Sequence, residues 1–261
     1  MIPVLQNACA DITAGLKLRR VWIALASEDI IDQHRRTSLG PVWLLINYLA
    51  FVGTILLILG HSQSVTYFPA YVSIGFFVWT FVSEVVSQSV TLFSREEAFI
   101  KGTPLPLTVY IMRMTMQSAI RAGYTLIGCL GIILIAQTPL SWGWLWSVAG
   151  IGLILTATPA IVFTGAIAGA FFPDLQFIVQ NLVRIGLFLT PIFWLPVNGS
   201  IRGVLYWLNP FTYVVEIVRI PVLTGDFPAT AFVVCSTIAV FFWLMALVAV
   251  GSFRKQIAFI L

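Results

Sequence analysis

Residues 144–172 read WLWSVAGIGLILTATPAIVFTGAIAGAFF, without a single Asp, Glu, Lys or Arg. An α-helix needs about twenty apolar residues to cross a roughly 30 Å hydrocarbon core, so this stretch is a membrane span with length to spare. Five more stretches qualify, at approximately 41–60, 68–93, 107–136, 178–196 and 229–251. None alternates polar with apolar, as a β-barrel strand would. The whole chain agrees: 59% of its 261 residues are hydrophobic, only 9% are charged, and the mean hydropathy is +0.99. A soluble domain carries roughly a quarter charged residues, so the composition excludes a soluble globule and a disordered chain alike. The expected fold is all-α and membrane-embedded, with six transmembrane helices (residues 41–261) behind a cytoplasmic N-terminus (1–40).

The basic residues set the orientation. Lys17, Arg19, Arg20, Arg35 and Arg36 precede the first span, Arg95 and Lys101 lie between the second and third, and Arg254 and Lys255 follow the last. The other side has only Arg202 and Arg219, both between the fifth and sixth spans. Lys and Arg are retained on the cytoplasmic side, which puts both termini there and also accounts for the formal charge of +4 without invoking nucleic acid. Trp142, Trp144 and Trp146 fit the outer interface, where indole rings prefer to sit. The first sixteen residues lack a basic start followed by an apolar core, so no cleavable signal is expected there.

Outside the spans, Leu18, Val21, Trp22 and Leu25 recur at i, i+3, i+4 and i+7, predicting an amphipathic helix over 16–33 that lies in the membrane plane or leads into the first span. Gly40-Pro41 marks the turn into that span. The loop 94–104 is short and charged. Its Phe99-Ile100 pair either plugs a pocket on a partner or dips into the headgroup region. Residues 197–228 carry several prolines yet stay apolar, which predicts two short helices, near 200–208 and 210–223, folded as a re-entrant hairpin on the outer side. Asn209-Pro210 reads as a cap and first-turn proline, and Glu216 and Arg219 are spaced to pair.

Charges within spans face the bundle interior or water. Glu84 and Arg121 both fall about 24 Å from the outer face at 1.5 Å per residue, so they are expected to form a structural ion pair. Arg113 lies two turns nearer the cytoplasm and reads as hydrated. Arg184 either snorkels or meets an anionic headgroup or phosphate. Cys9, Cys129 and Cys235 are odd in number and set in apolar contexts, and His34 and His61 fall on opposite sides, so no metal site is expected. The sequence has no G-x-x-x-x-G-K-[ST] loop, no G-x-S-x-G elbow and no chain of carboxylates. The inventory points to a passage or a scaffold, not an enzyme, whose energy comes from elsewhere.

Several ordered motifs resemble those of one family. Arg35-Arg36-Thr37-Ser38-Leu39-Gly40-Pro41-Val42-Trp43 resembles the R-(S/T)-x-(L/I)-G-P-x-W signature of ABC-2 type permeases. The stretch from Glu97 to Leu107 looks like the cytoplasmic loop of those that export O-antigen and related polysaccharides. Thr190-Pro191-Ile192-Phe193-Trp194 and Leu208-Asn209-Pro210-Phe211 resemble the late (S/T)-P-(V/I)-x-(Y/W) and L-N-P motifs. The likeness covers roughly 16–255; at Pro173, before Asp174, the family often has a basic residue.

The resemblance implies a bacterial inner-membrane permease that pairs with a second copy of itself and with two ABC ATPase subunits. Those subunits would hold the ATP and magnesium, with no cofactor in this chain. The cargo would be a lipid-linked polysaccharide. An ATPase-coupling interface would involve Arg35, Arg36, Arg95, Glu96, Glu97, Phe99 and Lys101. Sugars stack their C–H faces on aromatic rings, so Tyr48, Phe51, Phe188, Phe193 and Trp194, with Arg184, are candidates for the channel, the alternative for each ring being simple packing. An ABC-2 permease for a small hydrophobic drug or a lipid is the second reading.

Overall fold

Prolines, glycines and an asparagine cut the apolar sequence into twelve helices in a computed structural model. It describes residues 2–60, 67–103, 105–197 and 199–260, without the side chains of 2–5, 7 and 253–260. Pro104 of the loop, Asn198 of the hairpin, His61 and the side chains of Arg254 and Lys255 therefore lie outside the described residues. The helices are α1 (Ile2–Lys17), α2 (Arg19–His34), α3 (Val42–Leu59), α4 (Phe68–Ser89), α5 (Leu92–Arg95), α6 (Glu97–Gly102), α7 (Leu107–Ile135), α8 (Trp144–Phe171), α9 (Leu175–Leu189), α10 (Ile201–Leu208), α11 (Pro210–Leu223) and α12 (Ala229–Ile260). No strand occurs among the described residues.

Among the described residues five helices are long and apolar enough to cross a membrane: α3, α4, α7, α8 and the Ala229–Ser252 part of α12. The stretch expected as the fifth span, at 178–196, gives the 15-residue α9, which ends at Leu189 and is shorter than the other five. The reason is local. Thr190 is extended, at φ −87° and ψ 139°, as a residue before proline is biased to be, and Pro191 brings no N–H to continue the ladder. The stretch expected at 68–93 likewise splits, with α4 stopping at Ser89 and the single turn of α5 following Thr91.

The axis of the bundle is α4. Of its most apolar window 67% is buried, against 11% for α3, so α4 is the helix the others pack around. Two apolar clusters are stacked along it. One gathers Phe68, Ile74, Trp79, Ile192 and Ile217; the other gathers Phe81, Phe93, Met114, Phe163 and Val250. Small residues bring backbones together where α8 passes the end of α4, at Gly165 and Gly169.

The N-terminal segment differs from the single amphipathic helix expected over 16–33. Two helices form, broken at Leu18, whose backbone departs from helical geometry. Of the expected stripe, Leu18, Trp22 and Leu25 are half-buried and Val21 is exposed, whereas Ala26 and Ile30 are fully buried. Thus α2 buries a face offset from that stripe, and it packs along α7. The first helix is tied to the start of α7. The Asp11 carboxylate accepts from the Thr108 backbone N–H at 3.0 Å and from its hydroxyl at 2.7 Å, which satisfies one of the amides left open at a helix N-terminus.

Candidate functional site

At the end of the bundle where α2, α5 and α6 meet α7, the polar side chains form a layer. Arg113 on α7 is its centre. Its guanidinium grips Asp29 of α2 with two hydrogen bonds, from Nε at 2.6 Å and Nη2 at 2.8 Å, and gives a third from Nη1 to Glu96 at 3.0 Å. Gln117, one turn further along α7, also donates to Asp29. Arg95 lies 3.5 Å from the other oxygen of Glu96. Two turns beyond Arg113, Arg121 donates to Glu84 of α4 at 2.5 Å and to Gln33 of α2 at 3.0 Å, and the Ser118 hydroxyl donates to Glu84 at 2.9 Å. α2, the α5–α6 junction and α4 are thus tied to α7 in one transverse frame, as buried charges require partners.

Arg113, expected to be hydrated, is instead mostly buried, with 16% of its side chain exposed. A signal was available. Arg113, Gln117 and Arg121 recur at i, i+4 and i+8 on α7, and Asp29 and Gln33 stand four apart on α2. Two matched polar stripes on neighbouring helices predict a paired seam.

The charge state of Asp29 bears on this seam. Burial pushes its carboxyl upward, but hydrogen bonding and charge from Arg113, the Gln117 amide and Arg95 together outweigh burial and hold it below the ordinary carboxylate range. A lowered folded value means that its stabilisation is complete above about pH 4 and is lost only as pH falls further. A spin label on α2 should therefore keep its mobility from pH 8 to pH 5 and loosen only below about pH 4; loosening near pH 6 would contradict the assignment.

The Glu84–Arg121 pair opens onto a groove of about 320 Å³ between α3, α4 and α7. Asn47, Thr80, Ser118 and Thr125 supply polar groups along it, and Tyr48, Phe51 and Phe76 supply rings. Phe51 stacks on Phe76 with centroids 4.1 Å apart and lies 6.1 Å from Phe193. Removing one partner leaves the other charge unmatched. Glu84→Gln or Arg121→Gln alone is expected to cost about 1–3 kcal/mol, and the double variant less than the sum. A thermal-unfolding cycle measures this, and strict additivity would count against a direct pair.

The other candidates are dispersed. Tyr48 is buried, its hydroxyl within 2.8 Å of the Ser73 carbonyl and 2.7 Å of the Ser73 hydroxyl, so it packs more than it lines. Phe188 and Arg184 point outward on α9, Phe188 being 67% exposed. The Trp194 indole N–H donates to the Phe188 carbonyl at 2.9 Å, closing the turn after α9. On the short helix α6, Phe99 is exposed and Lys101 pairs with Glu97 at 2.7 Å. Arg35 and Arg36 are exposed, with Asp32 at 3.9 Å from Arg35.

At the opposite end, the expected Glu216–Arg219 pair exists, and its setting was not foreseen. Arg219 is completely buried, hydrogen-bonded to Glu216 and to the Pro191 carbonyl at 2.6 Å. Its guanidinium carbon lies 3.7 Å from the centre of the Tyr71 ring. Asn209 caps α11, its side-chain oxygen accepting from the Phe211 N–H at 2.9 Å, while its amide donates to the Thr190 hydroxyl at 3.0 Å. Among the described residues no three His, Cys, Asp or Glu side chains are grouped to hold a metal ion.

Fold and site together define a helical bundle with five helices able to span a membrane and a charged frame at one end. Comparison with protein-family models finds no match, and comparison with curated proteins finds none either.

Proposed function

We propose that the chain is the permease subunit of an ATP-driven ABC exporter that moves lipid-linked polysaccharide across the bacterial inner membrane as a homodimer. The observation that carries this reading is where the family-like motifs fall: each sits at a helix boundary. Gly40, with φ +55°, and Pro41 lead into α3. The 97–107 motif forms α6 and the start of α7. Thr190–Trp194 makes the turn after α9, and Asn209-Pro210 caps α11. Boundary positions are where backbone chemistry is most demanding, so ordered agreement at four of them is hard to obtain by composition alone.

On this reading α9 and the turn after it form a further crossing, the fifth in chain order, and α10 and α11 form the re-entrant hairpin on the outer side. Burial of Thr212, Val215, Ile217 and Val218 on α11 against exposure of Ile201, Trp207 and Leu208 on α10 supports that arrangement. On this reading α6, with Glu97, Phe99 and Lys101, faces the ATPase together with Arg95 and Glu96 of the junction before it. The aromatic and polar groove beside Phe51 and Phe193 offers weak contacts of the kind a sliding glycan needs.

One feature favours the second reading, a permease for a hydrophobic drug or lipid. A cavity of about 710 Å³ lies among α4, α8, α9, α11 and α12, lined by Phe81, Val85, Ile154, Phe211, Ile238 and Phe242 among others. Affinity purification from native membranes separates the two. Export of glycan predicts a co-purified ATPase in equal amount whose hydrolysis rises with lipid-linked glycan. Stimulation only by apolar small molecules would favour the second reading, and hydrolysis by this chain alone would reject both.

A further inference from the structure

The two acids bound by Arg113 are not held equally. Asp29 receives a two-pronged guanidinium contact plus the Gln117 amide, and bidentate Arg–carboxylate pairs are the stronger and more directional kind. Glu96 receives one hydrogen bond from Arg113, at 3.0 Å, and a looser approach from the half-exposed Arg95. The helices carrying these acids are anchored just as unequally. Besides Asp29, α2 sets the fully buried Ala26 and Ile30 against the bundle. Upstream of Glu96, α5 buries Leu92 and Phe93. By contrast, α6 buries no residue completely. Only the half-buried Ile100 leans on the core. Its two ends are held by polar contacts: Glu96 to Arg113, and Thr103, whose hydroxyl lies 2.9 Å from the Tyr110 hydroxyl. Glu96 itself joins α5 to α6 with φ −95° and ψ 12°, outside helical geometry.

We infer that Arg113 is a positioning residue with one fixed and one releasable arm: it clamps α2 to α7 through Asp29 and lets α6 swing about Glu96. The inference rests on the export reading only for the origin of the push on α6. When α6 is displaced, the Glu96 contact opens first and α2 stays seated.

The test is a pair of spin-label distances in the full chain in lipid nanodiscs, with Cys9, Cys129 and Cys235 replaced by serine. Labels at Ala98 on α6 and Ile127 on α7 report the releasable arm; labels at Ala24 on α2 and Ile127 report the fixed one. All three positions are exposed. Glu96→Gln, nearly isosteric, should abolish the single narrow Ala98–Ile127 peak and leave Ala24–Ile127 unchanged. Asp29→Asn should do the converse, and Arg113→Gln should broaden both. An unchanged Ala98–Ile127 distance in E96Q, or equal broadening of both distances in that variant, overturns the inference. With the co-purified ATPase present, adding ATP should shift Ala98–Ile127 alone. A constant distance there, with the variants behaving as stated, counts against the export reading and leaves the two-armed clamp standing.

Discussion

Arg219→Met is expected to lower the stability of the protein by about 3–5 kcal/mol, the range for breaking a buried ion pair from one side. The guanidinium is fully buried between Tyr71, Glu216 and the Pro191 carbonyl. Methionine fills much of its volume but offers no charge and no donor. Glu216, only 6% exposed, is then left as an uncompensated carboxylate, and the Pro191 carbonyl loses one of its two donors. That carbonyl also accepts from Tyr71 at 3.0 Å, and Tyr71 lies at the same distance from the Trp194 carbonyl. The turn after α9 therefore loosens together with α11. Adding Glu216→Gln to Arg219→Met should recover part of the loss, because it removes the orphaned charge. Thermal unfolding in detergent checks both, and a wild-type midpoint for R219M would contradict the assignment.

Gly169→Ala should cost roughly 3 kcal/mol, at the upper end for overpacking a closed site. A Cβ built there would fall 1.8 Å from the Val90 carbonyl oxygen and 2.6 Å from its carbon. Both are backbone atoms and cannot rotate away, so α8 must separate from the turn after α4. Gly152 on the same helix is the control, since a Cβ there meets nothing within 4 Å. Gly152→Ala should be neutral or stabilising by up to about 1 kcal/mol, the helix-propensity difference. Equal effects of the two substitutions would show that α4 and α8 do not touch as described.

The spans are legible where a long apolar run stays helical throughout, as α8 does even across Pro159. Composition alone located α3, α7 and α8 to within a residue or two, because burial of apolar side chains in lipid is set by composition and length. The end of the helix in the fifth stretch, at Leu189, is not legible in hydropathy, which is blind to the backbone. Thr190-Pro191 is as apolar in its surroundings as a span, yet it cannot hold helical dihedrals. Glu84 and Arg121 could be paired from depth alone, since both helices start from known ends. Asp29 could not be matched to Arg113 in this way, because it lies on a helix outside the spans whose register on α7 no depth argument fixes. The Arg219 setting was hidden for a related reason. Its spacing to Glu216 is local and readable, whereas Tyr71 and Pro191 reach it from distant parts of the chain.

The most direct test of the export account is the fate of lipid-linked glycan in cells lacking this chain. The account predicts that the glycan accumulates on the inner face of the cytoplasmic membrane, disappears from the cell surface, and returns to the surface on re-expression. Unaltered surface polysaccharide in the deletion strain would contradict it.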